Sequence, residues 1–257
     1  MNSNFLLKHI LLVVIVAFMV GGARRARAAE AQYYELRVYS TQSEVQQQRV
    51  NDYWQNAAIP AYRRMGIGPI GVFTEQGASP TNRVYVLIPC DSLKIFGQIP
   101  ARLATDGKYQ AAAAEFLDAT KTNAAYERME SSLLVAFEGM KRLVQPSRDR
   151  TVFELRTYLS PGEAKGLNKI KMFENGEITV MKEVGLAPVF YGRMVVGGQM
   201  PCLMYMTCGE NLEEHGKHWQ AFSSSPVWKQ LQEDPEYKDN MIGMIRVLLK
   251  RMAGSEI

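Results

Sequence analysis

Two segments of the chain share one pattern of alternating polar and apolar positions. YELRVY runs from Tyr34 to Tyr39, and FELRTY runs from Phe153 to Tyr158, 119 residues later (153 − 34). Period-two alternation with aromatic residues is typical of a β-strand. The spacing is too long for a solenoid repeat and suits a small domain that occurs twice.

The repeat continues beyond these strands in one ungapped register. Residues 119 positions apart keep matching in kind over roughly 75 residues, as expected for duplicated domains. The matched pairs are Trp54 and Phe173, Ile59 and Ile178, Gly66 and Gly185, Pro69 and Pro188, Leu93 and Leu212, and Tyr109 and Trp228. This register of aromatic, glycine and proline positions indicates an internal duplication.

Each copy is predicted to contain six elements in the order βαββαβ. In the first copy the strands are predicted at 34–39, 69–74, 83–89 and 133–137, and the helices at 43–64 and 92–128. In the second copy the strands are predicted at 153–158, 188–195, 202–208 and 245–249, and the helices at 164–184 and 212–232. This order defines the split βαβ, or ferredoxin-like, unit.

The pattern predicts an α+β fold of two tandem ferredoxin-like units, residues 31–140 and 149–257, with a linker at 145–148. A lone unit leaves one sheet face open to water, and two units can close a barrel by packing these faces together. We predict that the face carrying Glu-x-Arg-x-Tyr points into the barrel and that the opposite face packs under the helices. The inward residues would be Glu35, Arg37, Tyr39, Glu154, Arg156 and Tyr158.

Residues 1–28 have the features of a secretory signal peptide. Lys8 precedes an uncharged apolar run at 10–23, and the small-residue pattern ARA at 26–28 follows, so cleavage after Ala28 is expected. The apolar run is shorter than the roughly 20 residues that a membrane-spanning helix needs. We therefore expect an exported protein, periplasmic or secreted. Three arginines that follow the run leave a mitochondrial presequence as the alternative.

Composition and charge are those of an ordinary globular domain once this leader is set aside. Hydrophobic residues make up 47% and charged residues 22% of the 257-residue chain. Cleavage would remove four basic residues and no acidic one, and the formal charge would change from +4 to 0 (4 − 4). A neutral chain gives no electrostatic reason to expect nucleic acid or a membrane as partner. A small molecule is a possible partner. The chain is expected to be either a monomer with an internal pseudo-dimer or a further homo-oligomer.

Ten residues are candidates for contact with a ligand or metal. Arg offers a bidentate fork to a carboxylate or phosphate, so the paired Glu and Arg positions could hold a polar ligand. They could equally satisfy one another as cross-strand ion pairs. His215 and His218, three residues apart on a helix, could bind a metal or a haem iron, although no third ligand is evident. The candidates are Glu35, Arg37, Tyr39, Glu154, Arg156, Tyr158, Tyr191 and Arg193 for a ligand, with His215 and His218 for a metal.

The second copy resembles the NIPSNAP family. The resemblance lies in FELRTYLSPG, in GLAPVFYGRM and in SSPVW, in that order, from about Thr151 to Leu231. A weaker form of it covers residues 34–109 of the first copy. It implies the dimeric α/β-barrel fold, here formed within one chain, and the apparent leader resembles that of an exported bacterial member. It implies no settled reaction and supplies no catalytic residue or cofactor.

Three functions remain open from the sequence. The first is binding of a small, partly apolar molecule between the two sheets. The second is an α/β-barrel enzyme of the oxygenase or isomerase type, with or without haem. The third is a structural or interaction module whose barrel is filled by its own side chains. No P-loop, GxGxxG, GxSxG, HExxH or CxxC motif is present, which disfavours several common enzyme classes. Catalytic residues and cofactor stay unknown at this point.

Overall fold

Eight strands form one closed antiparallel barrel. The computed structural model describes residues 30–76 and 82–257, so the predicted leader lies outside the described residues. The strands are β1 (Tyr33–Ser40), β2 (Gly71–Glu75), β3 (Arg83–Cys90), β4 (Arg128–Ala136), β5 (Val152–Leu159), β6 (Ala187–Val196), β7 (Cys202–Gly209) and β8 (Gly243–Arg251).

The strand order around the barrel confirms the tandem ferredoxin-like fold. The order is β1-β3-β2-β8-β5-β7-β6-β4, in which each unit supplies four consecutive strands. The two units are joined by the antiparallel pairs β2 with β8 and β4 with β6. Every strand therefore has a neighbour on both sides, and the two sheets have no free edge.

Helices cover the outside of the barrel in both units. They are α1 (Glu44–Tyr53), α2 (Ile59–Arg64), α3 (Leu93–Thr105), α4 (Gly107–Leu117), α5 (Glu163–Met172), α6 (Ile178–Glu183), α7 (Leu212–Ser224) and α8 (Pro226–Glu233). Among the residues that the structure describes, no helix has the length and apolar character needed to cross a membrane.

The two long helices predicted at 92–128 and 212–232 are each broken in two, so this part of the prediction is wrong. The breaks fall at Asp106 and Ser225, whose side chains accept hydrogen bonds from the backbone N–H groups of Tyr109 and Trp228. Asp and Ser are favoured N-cap residues, and Pro226 occupies a first-turn position of the new helix. Capping by Asp106 and Ser225 therefore starts a second helix inside each of the two predicted helices.

The helices predicted at 43–64 and 164–184 each contain a π turn. It spans Trp54–Ala58 between α1 and α2, and Phe173–Glu177 between α5 and α6, where Gly176 has a non-helical φ of 155° and kinks the helix. The two turns start 119 residues apart (173 − 54), so the duplication preserves them. A π turn adds one residue to the helical repeat, and such turns occur frequently at functional sites.

Apolar side chains of the described residues occupy the barrel interior. The buried residues of this core cluster are Tyr34, Leu36, Phe73, Tyr85, Leu87, Leu134, Ala136, Phe153, Leu155, Val189, Phe190, Met206, Cys208, Leu249 and Ile257. Ile257 reaches the cluster because the segment after β8 folds back over one end of the barrel. There the carboxylate of Glu256 accepts a hydrogen bond of 2.7 Å from the N–H of Ile70.

The prediction that Glu-x-Arg-x-Tyr points into the barrel is wrong. Phe153 and Leu155 lie in the interior cluster, so the neighbouring alternate positions of β5 point to the helices. Alternation alone could not decide between the faces, because helices cover one and the barrel closes over the other. The apolar face of each strand lies in the fully enclosed interior, and the polar pairs lie under the helices. There 12% of the Arg156 side chain is exposed. The six reversed residues are Glu35, Arg37, Tyr39, Glu154, Arg156 and Tyr158.

The three cysteines are buried and free, as their odd number and spacing suggest. Cys202 and Cys208 lie in the same strand, β7, and cannot approach one another. Cys90 lies at the end of β3 in the core of the first unit. All three act as small buried apolar side chains.

We expect residues 149–257, produced alone, to form a dimer. Loss of the first unit would expose the edges of β6 and β8 and one face of apolar side chains, and a second copy can cover both. Light scattering with size-exclusion chromatography measures the mass. A stable, well-dispersed monomer would show that closure of the barrel is not required for folding of a unit.

Candidate functional site

Glu154 is the centre of a buried polar group between the helices and the sheet of the second unit. Its side chain is fully buried and accepts hydrogen bonds from Arg156 Nε (2.5 Å), His215 Nε2 (2.8 Å) and Trp219 Nε1 (3.0 Å). Arg246 Nε lies 3.3 Å away. Burial alone would raise the pKa of Glu154, but the His215 hydrogen bond and the two arginines hold this pKa below its ordinary value. The carboxylate is therefore ionised and fully engaged.

A line of aromatic groups extends from this carboxylate along the sheet. The guanidinium carbon of Arg156 lies 3.4 Å from the centroid of the Trp219 ring, a close cation–π contact. Its Nη1 atom donates a long hydrogen bond of 3.4 Å to the hydroxyl of Tyr158. That hydroxyl lies 2.8 Å from the hydroxyl of Tyr205. Burial raises the pKa of both phenols, so both are neutral hydroxyl groups.

A buried ion pair lies next to the two phenols. Lys169 Nζ is 2.8 Å from Glu177 Oε2, and the two side chains are 4% and 0% exposed. The ammonium group is surrounded by the rings of Tyr158, Phe173 and Trp228, at 5.4, 4.8 and 5.3 Å from their centroids. The pair is thus held in an aromatic environment, away from water.

The two charged residues meet across the irregular turn that joins α5 and α6. Lys169 lies in α5, Glu177 ends the turn, and Gly176 between them has a non-helical backbone with φ of 155°. In a regular helix, residues eight positions apart (177 − 169) would be about 80° apart around the axis. The kink at Gly176 interrupts that repeat, and in the structure Glu177 Oε2 lies 2.8 Å from Lys169 Nζ.

Half of the Glu177 carboxylate has no hydrogen-bond partner among the described residues. Oε1 is buried and accepts no hydrogen bond from residues 30–76 or 82–257, and the residue as a whole is fully buried. Burial raises the pKa of Glu177, and the charge of Lys169 offsets this only in part. A buried carboxylate oxygen without a donor is costly, and this atom keeps an unused capacity to accept a hydrogen bond.

The first unit has the strand motif without the buried ion pair. Glu35 accepts hydrogen bonds from Arg37 Nε (2.7 Å) and Ser131 Oγ (2.7 Å). Five polar residues of the second unit have apolar residues at the equivalent positions of the first unit, 119 residues earlier. The pairs, second unit first, are Lys169 and Val50, Glu177 and Ala58, Tyr191 and Val72, Tyr205 and Val86, and His215 and Phe96. The first unit therefore shows how this fold packs when it has no such pair.

We use the name polar cluster for eight residues of the second unit: Glu154, Arg156, Tyr158, Lys169, Glu177, Tyr205, His215 and Trp219. Tyr191 borders the polar cluster, with its ring 5.5 Å from that of Tyr205 and its hydroxyl 3.3 Å from Met181 Sδ. Arg193 does not join it and lies exposed near α5. The other candidates, Glu35, Arg37 and Tyr39, belong to the first unit. The structure thus brings four of the ten sequence candidates together, Glu154, Arg156, Tyr158 and His215.

The two histidines do not meet at a shared site. His215 Nε2 is bound to Glu154, whereas His218 packs on the backbone at Gly185. Across residues 30–76 and 82–257, no three His, Cys, Asp or Glu side chains are grouped so as to hold a metal ion. Lys169 and Glu177 were missed from the sequence because charged residues on a helix are normally exposed. Their alignment with Val50 and Ala58 was the available signal.

The architecture defines a dimeric α/β-barrel protein in which both ferredoxin-like units belong to one chain. The NIPSNAP family model matches residues 34–138 and 153–255, which together make up most of the sequence. The chain therefore belongs to the NIPSNAP family. A comparison with curated proteins finds no significant match.

Solved structures with the same fold have very different sequences. A candidate monooxygenase from Fusobacterium nucleatum subsp. nucleatum is 10% identical, with a TM-score of 0.56 over 86% of this chain and 93% of that chain. A second, from Lactobacillus acidophilus, is 9% identical, with a TM-score of 0.58 over 86% and 94%. An anthrone oxidase-like protein is 8% identical, with a TM-score of 0.51 over 89% and 96%. At such identities the similarity shows the fold alone.

We expect Glu154→Gln to lower the free energy of unfolding at neutral pH by about 3–5 kcal/mol, because its cationic partners lose a buried counter-charge. Since the pKa of Glu154 is lowered in the folded state, the carboxylate stabilises the fold fully above its unfolded pKa of about 4.3. That contribution is lost as the pH falls through the lower folded-state value. Denaturant unfolding from pH 7 to pH 3 should therefore show the deficit shrinking below about pH 4.3.

The matched control is Glu35→Gln, the same change at the equivalent position of the first unit. This change removes a carboxylate that accepts hydrogen bonds from one arginine and one serine only. We therefore expect a smaller loss of unfolding free energy. Equal losses in the two variants would mean that His215, Trp219 and Arg246 add nothing to the stability of the Glu154 site.

Proposed function

We propose that the second unit binds a small, partly apolar molecule at the polar cluster, between its helix layer and the sheet. The first unit completes the barrel and supplies no equivalent site. This differs in position from binding between the two sheets, because apolar side chains occupy that space. The ligand would have an aromatic or aliphatic body to match the surrounding rings and a polar group that reaches Glu177 Oε1.

The observation that carries this proposal is the buried Lys169–Glu177 pair. Removing two charges from water costs several kcal/mol per ion, which a pair recovers only with good geometry and further hydrogen bonds. Here one carboxylate oxygen has no donor within the part of the chain that the structure describes. Val50 and Ala58, both fully buried at the equivalent positions, show that the fold does not need the charges. Costly groups without a folding role are typical of functional sites.

We expect replacement of the pair by apolar residues to be tolerated or stabilising. Lys169→Met alone should lower the free energy of unfolding by about 3–5 kcal/mol, since it leaves a buried carboxylate without its cation. Lys169→Met with Glu177→Leu should restore the wild-type value or exceed it by about 1–4 kcal/mol, as apolar replacements of buried ion pairs do. Denaturant unfolding measures both. A double variant as unstable as the single one would make the pair a structural element and contradict the proposal.

Ligand binding itself is tested by native mass spectrometry on the protein purified from its natural source. We expect an excess mass that disappears on denaturation, and loss of that mass in the Lys169→Met/Glu177→Leu variant. The control is Lys171→Met/Glu236→Leu, which removes an exposed ion pair between α5 and the short turn after α8. Both variants change the charges equally, so retention by the control alone locates the ligand. Excess mass that survives in both variants would place the ligand elsewhere.

A second candidate function is an enzyme that transfers a proton in the same site. Burial raises the pKa of Glu177, which makes its carboxylate a stronger base than an ordinary one and suits it to act as a general base. A weakly acidic hydroxyl or C–H group of the ligand would give its proton to Oε1, and its electron pair would stay on the ligand, close to the Lys169 ammonium group. Turnover that Glu177→Gln abolishes, with ligand binding retained, would establish it.

A further inference from the structure

A separate small cavity lies at the start of α5, outside the polar cluster. Its volume is about 110 Å³, and it is bounded by α5, by the end of β6 and by the turn before β7. Most of its walls are apolar, and only Arg193 and Glu163 bring charge. The lining residues are Glu163, Gly166, Leu167, Ile170, Arg193, Met194, Met200, Pro201 and Cys202.

The polar atoms in the floor of this cavity are already satisfied. Cys202 Sγ donates to Met194 Sδ at 3.6 Å, and both residues are buried. Burial raises the pKa of Cys202 to about 11, which keeps it a neutral thiol. The floor is therefore an apolar surface of soft sulfur and carbon atoms, and methionine lets such a surface adjust to the shape of a ligand.

Arg193 provides an available cation at the rim. Its side chain is exposed, and it forms no ion pair with any residue in the described ranges 30–76 and 82–257. A guanidinium group presents a planar fork that matches a carboxylate. Leu167 and Met200, 57% and 49% exposed, flank the opening with apolar surface. A cation beside an open apolar cavity is the arrangement that an amphipathic anion needs.

The first unit has polar residues at the positions that form this cavity. In the 119-residue register Leu167 corresponds to Gln48, Ile170 to Asn51, and Arg193 to Thr74. The combination of an apolar lining and an arginine is therefore a property of the second unit and does not follow from the fold.

We propose that this cavity binds a short-chain aliphatic monocarboxylate. The alkyl tail lies against Ile170, Met194 and Cys202, and the carboxylate pairs with Arg193. A volume of about 110 Å³ equals the volume that three to four water molecules occupy in liquid water. The cavity can therefore hold an alkyl tail of only a few methylene groups. Glu163 at the rim disfavours a second carboxylate by charge repulsion, so a dicarboxylate of equal length binds less well.

The test is an NMR titration of the complete mature chain with butanoate, pentanoate and hexanoate. Each added methylene should raise the affinity about fourfold until the cavity is full, since burial of one methylene contributes that factor. The matching alcohols and the dicarboxylate adipate should bind more weakly than hexanoate. Affinity that does not change with chain length would overturn the proposal, because charge attraction alone would then explain it.

Two variants locate the site. Arg193→Gln should weaken carboxylate binding at least about tenfold, the effect of losing a charge-assisted hydrogen bond, and should leave the alcohols unchanged. Arg102→Gln, which removes another exposed arginine, is the matched control and should have no effect. Equal effects of the two arginine variants would refute the site.

Gly166→Leu tests the cavity without removing a charge. A Cβ atom at Gly166 would make only ordinary contacts, at 3.7 Å, with Pro201 and Ser160, and leucine favours a helix more than glycine does. This variant should fold normally and lose binding of acids and alcohols alike. Retained binding would exclude the cavity. Because the site is distinct from the polar cluster, none of these results depends on the function proposed there.

Discussion

The pairing of β2 with β8 and of β4 with β6 is the contact on which the rest of the structure depends. These two ladders join the units, remove all sheet edges and enclose an interior for apolar side chains. Once the interior takes Phe153 and its neighbours, period-two alternation forces Glu154 and Arg156 toward the helices. The position of the polar cluster is thus a direct consequence of how the barrel closes.

The helix layer differs in chemistry between the units although the backbone is the same. In the first unit Val50, Ala58 and Tyr62 form a buried core around Trp54. Each layer has a pair of hydrogen-bonded phenols, Tyr53 with Tyr109 and Tyr158 with Tyr205, but only the second unit holds the Lys169–Glu177 ion pair. Both units have an irregular turn at the equivalent position.

The sequence was sufficient for the fold because a duplication repeats every signal. Matching glycines, prolines and aromatic residues, together with the element order, predicted two ferredoxin-like units and a barrel. The sequence could not show which face of each strand points into the barrel. Glu154 alternates with Phe153 whether the helices or the second sheet cover it. The helix breaks were not predicted, because Asp106 and Ser225 act as N-caps inside segments that each resemble one continuous helix. In the sequence, Lys169 and Glu177 look like ordinary surface residues, and only the folded chain brings them together.

Because the two units belong to one chain, a buried ion pair can be present in one unit of the barrel and absent from the other. In a symmetric dimer of identical units, any residue placed in one helix layer appears in both, so a buried ion pair is desolvated twice per barrel. Here the covalent link breaks that symmetry: both helix layers hold a Glu–Arg pair, but the Lys169–Glu177 pair occurs in the second unit alone. The tandem arrangement therefore lets a barrel hold this ion pair once, so its desolvation cost arises in one unit only.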